Sequence, residues 1–389
     1  MSKLLRHQKS GVRYILRNNS AFVCDDMGMG KTRTVIEAIF ERSLFPILIL
    51  CPAPLVLNWV AEIKKWKDVD ITPYLLDGNV VILNYEKLKS NYKALSKIGF
   101  KQLVIDESHN FKNPHSKRTG MVLKLSKNIP YRILMTGTPI LNRPSELVSQ
   151  LKILNVLHKF GGEREFLNRY CSPAPTLWGI DYSGASNISE LNHKLKNIWI
   201  RRYKKDIGNA LPSKTIVPIP VCELPQHPPH SLKEIETMDK RAIKSKLDPS
   251  IQFIQELIAR GEKTVVFIHH KLLGKQLHTV FPDACVIVGG QSPTIRQENI
   301  RKFQEGDSQL IICSLQASAV GLTLTASRCA VFLEYPWSPS LLQQAQDRVH
   351  RLSQTRDVFV YYLYAKGSID EYRLGTNQYK DILIKEATK

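Results

Sequence analysis

No hydrophobic segment of this 389-residue chain is long enough to cross a membrane. A membrane-spanning helix needs roughly 18 or more apolar residues in succession. The most apolar stretch, residues 45–60, is interrupted by Pro46, Pro52 and Pro54. The opening residues, MSKLLRHQKS, also lack the apolar core of a secretory signal. We therefore expect a protein that has no membrane partner and stays inside the cell.

Metal-binding cysteine patterns are absent as well. The chain has seven cysteines and 11 histidines, but neither a CxxC pair nor the ligand spacing that holds zinc. Several cysteines lie in predicted strands, where cysteine behaves as a small apolar residue. We therefore expect no zinc site, and we favour a packing role for these thiols over a redox role.

Acidic residues are few: 35 Asp and Glu stand against 55 Lys and Arg, which leaves a formal net charge of +20. Such an excess indicates a polyanionic partner. Part of the excess lies in residues 194–205, KLKNIWIRRYKK. A charge run by itself is usually a solvated face, so this segment alone does not decide between a solvated surface and a phosphate contact.

The length exceeds that of one ordinary core and favours two α/β lobes. Strand-like apolar runs alternate with helical patterns, which is typical of a doubly wound parallel sheet. The runs cover residues 47–51, 80–83, 102–106 and 131–135 in the first half, and 264–268, 284–288, 309–313, 329–333 and 358–364 in the second.

A mainly helical region at about 145–215, with a less regular loop at 172–186, lies between the two sets of strands. We interpret it as an insertion on the first lobe. The proline-rich segment 221–231 then marks a boundary. The predicted domains are a first lobe over 1–220, a linker over 221–249 and a second lobe over 250–389.

A phosphate-binding turn, DDMGMGKT, occupies residues 25–32 after the first apolar strand. Its glycines let the backbone close on phosphate, and Lys31 can neutralise the β- and γ-phosphates. Thr32 can hold magnesium at a helix N-terminus. The standard pattern GxxxxGK[ST] has glycine where this chain has Asp25, so the motif alone is imperfect. The residues predicted to line the nucleotide are Asp26, Met27, Gly28, Met29, Gly30, Lys31 and Thr32.

Two adjacent acids, Asp106 and Glu107, end the apolar run of QLVIDESH. At the carboxyl end of a buried parallel strand, Asp106 would face magnesium and Glu107 the attacking water, which divides the work that phosphoryl transfer requires. The alternative for an isolated DESH is a strand end followed by a solvated loop. Its position after GKT and before TGTP (residues 136–139) favours the catalytic interpretation.

The segment QAQDRVHRLSQ, residues 344–354, carries Arg348 and Arg351 at i and i+3, on one face if the segment is helical. Arginines delivered to a γ-phosphate can contribute about 10³ to 10⁵ in rate. The alternative is a basic helix whose arginines are ordinary surface residues. The residues predicted to act in catalysis are Lys31, Glu107, Gln344, Arg348 and Arg351.

With these motifs in order, the chain resembles the Swi/Snf-type DNA translocases of helicase superfamily 2 over nearly its whole length. Residues 4–8, LLRHQ, look like the opening motif of that family, which implies that Gln8 reads adenine. An aspartate at the position of Asp25 is usual in the family. The further motifs that match are CPAPLVLNWVAE, LNYE, TGTP, WIRRYKKDIGNALPSKT, TVVFIHH, VGLTLTAS and EYPWSPSLLQQAQDRVHRLSQ.

The resemblance implies two RecA-like lobes and places Asn58, Trp59, Thr136 and Thr325 near a DNA-tracking groove. It also implies that Gln344 couples the nucleotide and DNA states. For Trp59 an alternative stays open, because a tryptophan in an apolar segment is more often part of a core than a stacking platform.

The segment from residue 344 to 372 is similar to the branch that contains the HepA-related annealing helicases, which remodel stalled forks. Some residues depart from the family pattern: Ser338 stands for asparagine, Leu352 and Ser353 stand for isoleucine and glycine, and QASA precedes VGLTLTAS without the usual glycines. None of these changes removes a catalytic group. They indicate a divergent lineage, such as one encoded by a phage or mobile element.

The resemblance therefore implies an ATP-dependent translocase that uses magnesium and moves on double-stranded or forked DNA, in a bacterial cytoplasm or a eukaryotic nucleus. We expect a monomer. It would be directed to its target by the structure of the DNA, by a protein partner or by the insertion at about 145–215. An ATP-gated DNA clamp without processive movement is the alternative. An RNA substrate is disfavoured by the NW motif and by the QAxDRxxR spacing.

Overall fold

The structure, a computed structural model, describes residues 3–177, 179–207, 211–225, 232–318, 322–351 and 353–388. The chain divides into two compact units, Met1–Gly208 with Ile382–Lys389, and Asn209–Asp381. Each unit contains a six-stranded sheet. Within the described residues, no helix has both the length and the apolar character that a membrane span requires.

The strands of the first unit are β1 (Ser20–Val23), β2 (Ile47–Cys51), β3 (Val80–Asn84), β4 (Gln102–Asp106), β5 (Tyr131–Met135), β6 (Ala174–Thr176), β7 (Gly179–Asp181) and β8 (Trp199–Ile200). Six of them form a parallel sheet in the order β3-β2-β4-β5-β1-β8. Strands β6 and β7 form a separate antiparallel hairpin.

The helices of this unit are α1 (Arg6–Arg17), α2 (Lys31–Arg42), α3 (Val56–Lys67), α4 (Leu88–Leu95), α5 (Lys117–Ser126), α6 (Leu147–Ile153), α7 (Glu163–Tyr170) and α8 (Ile188–Leu195). Helix α1 is amphipathic, and its buried residues recur at the spacing of one helix face. They are His7, Gln8, Gly11, Val12 and Ile15.

Both faces of the first sheet are buried, which explains why its strands are continuous apolar runs. In β2, Leu48 and Leu50 enter one apolar cluster, while Ile47, Ile49 and Cys51 enter another. Helices α6, α7 and α8 of the predicted insertion contribute to the first of these clusters. The segment 172–186, predicted as a loop, contains the exposed hairpin β6–β7.

The second unit and the helix that ends the chain comprise β9 (Lys214–Glu223), α9 (Leu232–Ala259), β10 (Thr264–Ile268), α10 (Lys271–Val280), β11 (Cys285–Ile287), α11 (Pro293–Glu305), β12 (Leu310–Ser314), α12 (Leu315–Ser318), β13 (Cys329–Phe332), α13 (Pro339–Val349), β14 (Val358–Lys366) and α14 (Ile369–Thr388). The strands form a parallel sheet in the order β11-β12-β10-β13-β14-β9. In β10, Val265 and Phe267 enter one cluster, and Val266 and Ile268 enter the other.

The predicted fold class, two doubly wound parallel-sheet lobes with a helical insertion on the first, is confirmed. The boundaries between the lobes lie elsewhere than the sequence placed them. Strand β9 pairs with β14 and so belongs to the second sheet, although most of it falls within the predicted first lobe. Helix α9 covers much of the predicted linker 221–249. Residues 226–231 of the proline-rich segment lie outside the described residues.

Candidate active site

The phosphate loop connects β1 to α2 at the carboxyl edge of the first sheet. Gly28 and Gly30 have φ values of 79° and 76°, a left-handed conformation that glycine adopts without strain. Helix α2 begins at Lys31, so its free N–H groups are available to an anion. The glycines of the motif are therefore used for the backbone shape that the sequence predicted.

Helix α1 supports this loop from one side. His7 Nε2 lies 2.9 Å from the carbonyl oxygen of Met29. A β-carbon added at Gly30 would lie 2.4 Å from Nε2 of Gln8, so only glycine allows Gln8 to pack this closely. The predicted adenine reader Gln8 is buried beside the loop, and its Oε1 accepts a hydrogen bond of 3.0 Å from the Leu5 N–H.

The side chain of Lys31 folds back on its own loop. Its ammonium group donates to the carbonyl oxygens of Asp25 at 2.7 Å and Asp26 at 3.1 Å. Burial lowers the pKa of Lys31, while the negative charge of Glu107 is the largest of the effects that oppose this shift. The predicted phosphate-neutralising cation is thus half-buried among carboxylates.

Asp106, the last residue of β4, is fixed by two N–H donors. The indole N–H of Trp59 donates to Oδ2 at 2.9 Å, and the N–H of Glu107 donates to Oδ1 at 2.9 Å. Burial raises the pKa of Asp106 to about 7, the charge of Glu107 adds to the rise, and the Trp59 hydrogen bond opposes it. The predicted metal ligand is therefore held in one orientation by a residue from helix α3.

Glu107 has a left-handed backbone, with φ 48° and ψ 52°, which is strained for a residue with a β-carbon. Its Oε2 accepts a hydrogen bond of 3.2 Å from the hydroxyl of Thr136. His109 Nδ1 lies 2.9 Å from the same hydroxyl and 3.4 Å from Glu107 Oε2. Burial lowers the pKa of His109, which favours the neutral imidazole. The strained turn and these contacts direct the Glu107 carboxylate toward the TGTP segment.

The TGTP segment also touches the phosphate loop. A β-carbon at Gly137 would lie 2.7 Å from Cγ of Met27 and 3.4 Å from Nζ of Lys31. Phosphate loop, DESH and TGTP therefore form one connected group of side chains within the first unit, as expected for residues that follow parallel strands.

In the second unit, the predicted catalytic residues lie in and after α13. Gln344 and Arg348 are buried on this helix, which ends at Val349. Arg351 lies beyond the helix end, so the prediction that Arg348 and Arg351 share one helix face is corrected. Both still reach the same segment: Arg351 Nη1 donates to Thr323 Oγ1 at 2.6 Å, and Arg348 Nη1 contacts the Leu322 carbonyl oxygen at 3.5 Å.

Gln354 ties the two motifs of this unit together. Its Nε2 donates to the carbonyl oxygens of Ser327 at 2.8 Å and of Thr325 and Val349 at 3.3 Å. Its Oε1 accepts from the N–H groups of the two following residues at 3.1 Å. The buried amide thus holds the segment after α13 against the threonine-rich segment. Of the departures from the family pattern, Leu352 and Ala319, the last residue of QASA, lie outside the described residues.

The four residues predicted to contact DNA differ in exposure. Asn58 is exposed and Thr325 is half-buried. Trp59 and Thr136 are fully buried, and each hydrogen-bonds to a catalytic carboxylate of the DESH motif. For Trp59 the structure therefore has the core position that the sequence left open as an alternative, and a stacking contact with DNA is corrected to a contact with Asp106.

Sequence reasoning missed the roles of His109, Trp59, Gln354 and Arg202; the last of these forms a bidentate pair with the carboxylate of Asp25. His109 and Gln354 stand inside motifs that the sequence singled out, and Arg202 stands in its basic run, but nothing in their spacing identified their partners. Trp59 and Asp106 are 47 residues apart in sequence. Only the fold brings such pairs together.

The residues of the first unit fit a nucleoside triphosphate with a divalent cation. A glycine turn precedes a helix N-terminus, a lysine lies beside it, and a hydroxyl (Thr32) and a carboxylate (Asp106) supply the hard oxygen ligands that magnesium prefers.

Comparison with known proteins agrees with this chemistry. The model of the SNF2-related domain matches residues 7–264, and that of the helicase conserved C-terminal domain matches residues 248–353. The chain belongs to the SNF2 family. These two matches confirm the predicted class of enzyme, the helicase-like DNA-dependent ATPases, for which use of ATP is implied.

Two relatives illustrate the similarity. The chain is 31% identical over 432 residues to the SWI/SNF-related matrix-associated actin-dependent regulator of chromatin subfamily A-like protein 1 of Bos taurus, covering 100% of this chain and 45% of the relative. It is 31% identical over 431 residues to the DNA annealing helicase and endonuclease ZRANB3 of Homo sapiens, covering 96% and 39%. This SNF2-family chain thus spans less than half the length of either relative.

Among solved structures, the Sulfolobus solfataricus SWI2/SNF2 ATPase core in complex with dsDNA is 25% identical with a TM-score of 0.49, covering 100% of this chain and 94% of that one. The relatives described are animal proteins and give no support to the predicted phage origin.

Proposed function

We propose that this SNF2-family chain is an ATP-driven translocase on duplex DNA that remodels DNA structures, by fork regression, branch migration or strand annealing, or displaces DNA-bound protein. The observation that carries the proposal is the hydrogen-bonded group of Glu107, Thr136 and His109 beside Lys31. It joins the residue assigned to water activation to a segment outside the nucleotide loop. Such a connection is what an ATPase needs if hydrolysis is to drive movement.

The residues divide the chemistry as follows. Lys31 and the N-terminus of α2 bind the phosphates, and Thr32 and Asp106 would hold magnesium, which neutralises charge on the transferring phosphoryl group when bound. Glu107 takes the proton of the attacking water, and Thr136 orients the accepting carboxylate. Arg348 and Arg351 stabilise the charge that develops on the γ-phosphate.

The partner we propose is double-stranded or forked DNA, gripped through its phosphates. A net charge of +20 supports such a grip, because Lys and Arg contacts to phosphate supply sequence-independent affinity. The similarity to a relative named as a DNA annealing helicase supports placement in the annealing-helicase branch. On this proposal the chain acts as a monomer in the compartment that contains its DNA. A protein partner is one way in which it could be directed to its target.

Steady-state ATP hydrolysis at fixed salt tests the proposal, with no nucleic acid, single-stranded DNA, blunt duplex DNA, forked duplex DNA and duplex RNA compared. We expect strong stimulation by duplex DNA and more by forks. Triplex displacement driven by ATP then distinguishes a translocase from an ATP-gated clamp. Absence of stimulation by any DNA, or stimulation without displacement, would contradict translocation.

Glu107→Gln provides the matched blank. The amide oxygen can still accept the Thr136 hydrogen bond, but it cannot take a proton from water. We expect turnover to fall by about 10² to 10⁴, the range for loss of a general base, while ATP binding measured with a fluorescent nucleotide is retained. Glu41→Gln removes an exposed carboxylate of helix α2 and should leave both quantities unchanged. Normal turnover in Glu107→Gln would remove Glu107 from the role of base.

A further inference from the structure

Asp25 stands where the standard phosphate loop has glycine, and its carboxylate is deeply buried, with a residue exposure of 1%. An ionised carboxylate in such a position is costly unless it is paired and hydrogen-bonded. Lys31 hydrogen-bonds only to the main-chain oxygen of Asp25, and the carboxylate acts on Lys31 through its charge alone. That charge does not explain why the carboxylate is buried and fixed in one orientation.

The partner of Asp25 is Arg202, which follows strand β8. Arg202 Nε donates to Oδ1 at 2.9 Å and Nη2 donates to Oδ2 in a bidentate pair, the strongest geometry for an arginine and a carboxylate. Its remaining nitrogen, Nη1, donates to the carbonyl oxygen of His7. One guanidinium group thus joins the phosphate loop, helix α1 and the chain that follows β8.

Main-chain hydrogen bonds continue this pairing along the loop. The Cys24 N–H donates to the Ile200 carbonyl oxygen at 2.8 Å, and the Asp26 N–H donates to the Arg202 carbonyl oxygen at 3.0 Å. The Lys204 N–H donates to Oδ2 of Asp26 at 3.0 Å. The chain after β8 therefore lies against the phosphate loop over several residues rather than at one point.

Helix α1 leaves room for the guanidinium group. A β-carbon at Gly11 would lie 3.1 Å from Nη2 of Arg202 and 2.7 Å from Cγ2 of Thr34. Any larger residue at this position would press on Arg202 and on helix α2 together. The buried carboxylate, the bidentate arginine and the missing side chain at Gly11 thus form one built arrangement.

We propose that Asp25 and Arg202 form a latch that makes the phosphate loop and residues 199–207 respond as one body, so that nucleotide in the loop is sensed by the segment that precedes β9 in the chain. Arg202 is thereby a positioning residue for the phosphate loop. The proposal rests on the proposed function, since it concerns how nucleotide binding is passed on. A standard loop, with glycine in place of Asp25, lacks the carboxylate and cannot form this latch.

Asp25→Gly, which restores the standard motif, Arg202→Met and the double variant test the latch in the full-length chain. Hydrogen exchange of peptides covering residues 199–207 is measured with and without a non-hydrolysable ATP analogue, alongside nucleotide affinity and the number of triplex strands displaced per ATP hydrolysed. Arg132→Met is the control, because Arg132 is a half-buried arginine of the same unit that donates to Ser126 at the other end of the sheet.

We expect the analogue to slow exchange in 199–207 of the wild-type chain and of Arg132→Met. In Asp25→Gly this response and the strands displaced per ATP should both fall by at least about fivefold, the lower end of typical coupling between sites. Nucleotide affinity should change less than either. The double variant should show the same exchange response and the same strands displaced per ATP as Asp25→Gly, because both variants remove the same contact. The double variant also leaves no buried unpaired charge that could unfold the chain.

The latch proposal would be overturned if the analogue slowed exchange in Asp25→Gly as much as in the wild type. It would also be overturned if the analogue did not change the exchange of residues 199–207 in the wild-type chain. Failure of the proposed function has a different signature. In that case the wild-type chain shows no DNA-stimulated hydrolysis or displacement, while the exchange response still decides whether the latch exists.

Discussion

The two units hold their charged site residues in different ways. In the first unit, the carboxylates of Asp106 and Glu107 receive hydrogen bonds from Trp59 on helix α3 and from Thr136, which follows strand β5. In the second unit, the arginines after and within α13 contact neutral acceptors of a single segment, the Thr323 hydroxyl and the Leu322 carbonyl oxygen.

This difference shows two ways of positioning charged side chains for their ligands. Carboxylates that must bind a cation and water need one fixed orientation, which several donors from the core provide. Arginines that must meet a polyanion need support that holds them in place, which the Thr323 hydroxyl and the Leu322 carbonyl oxygen provide. The charge of Asp347 also acts on Arg351. Burial lowers the pKa of Arg351, but an arginine stays protonated at any physiological pH.

The largest change in turnover should follow from replacing Arg351. Arg351→Ala removes the cation that we propose stabilises charge on the γ-phosphate during turnover, so kcat should fall by about 10³ to 10⁵ while ATP affinity changes little. Steady-state kinetics and fluorescent-nucleotide binding measure the two. Arg356→Ala is the matched control, because Arg356 contacts the same segment through the Ala326 carbonyl oxygen at 2.9 Å but has no predicted catalytic role. An unchanged kcat in Arg351→Ala would refute its assignment.

A smaller effect should follow from the first unit's donors. Trp59→Phe keeps most of the ring volume but removes the indole N–H that fixes Asp106. Loss of a group that orients a metal ligand typically costs about 10- to 100-fold in metal affinity, so the magnesium concentration for half-maximal turnover should rise by that factor, with metal-free nucleotide binding retained.

Trp66→Phe is the control for this variant. Trp66 lies on the same helix α3, and its indole N–H donates to Glu62 Oε2 at 2.7 Å, a carboxylate outside the site. Its magnesium requirement should stay at the wild-type level. An equal rise in the magnesium requirement of the two variants would mean that Trp59 acts only through packing. The contrast between carboxylates fixed by N–H donors and arginines held by neutral acceptors would then lose its main support.

The smallest effect concerns pH and the second unit. The hydrogen bond to Glu334 raises the pKa of His270 and burial opposes this shift. Asp239 raises this pKa further and Arg373 lowers it. Burial raises the pKa of Glu334, but the hydrogen bonds that Glu334 accepts from His270 and His269 lower it below the usual value. A raised histidine pKa means that stabilisation is complete below the unfolded value of about 6.5 and is lost as pH rises through the folded value.

His270 is half-exposed, with side-chain exposure of 48%, so solvent screening limits the contribution to below about 1 kcal/mol. Melting temperatures of the full chain at pH 5.5 and pH 8.0 check this, with His270→Gln as the variant. We expect the variant to lose a few degrees at the lower pH and less at the higher pH. A larger loss at the higher pH would reverse the sign and contradict the ion pair.

The sequence predicted those parts of the fold that depend on continuous apolar runs. Strands β2, β4, β5 and β10 occur at the predicted bounds because sheets buried on both faces leave this signature. Strand β9 was not predicted. It lies at the edge of its sheet, it alternates between exposed and half-buried residues, and it contains Pro218 and Pro220, which edge strands tolerate.

The candidate site followed the same rule. Motifs with fixed local spacing, such as GMGKT and DESH, could be read directly, because local backbone geometry determines what their residues can do. The partners could not. Trp59 reaches Asp106 and Arg202 reaches Asp25 only through the packing of distant elements, and the end of α13 before Arg351 has no glycine or proline to mark it.

The left-handed backbone of Glu107 has a consequence for how this chain can evolve. A residue with a β-carbon in that conformation costs roughly 1 kcal/mol or more, which glycine or asparagine would reduce or avoid. Selection for stability alone would therefore favour a replacement that, on the proposed role of Glu107, abolishes turnover. On that proposal, a descendant that used the fold only as a scaffold would be expected to lose this glutamate early.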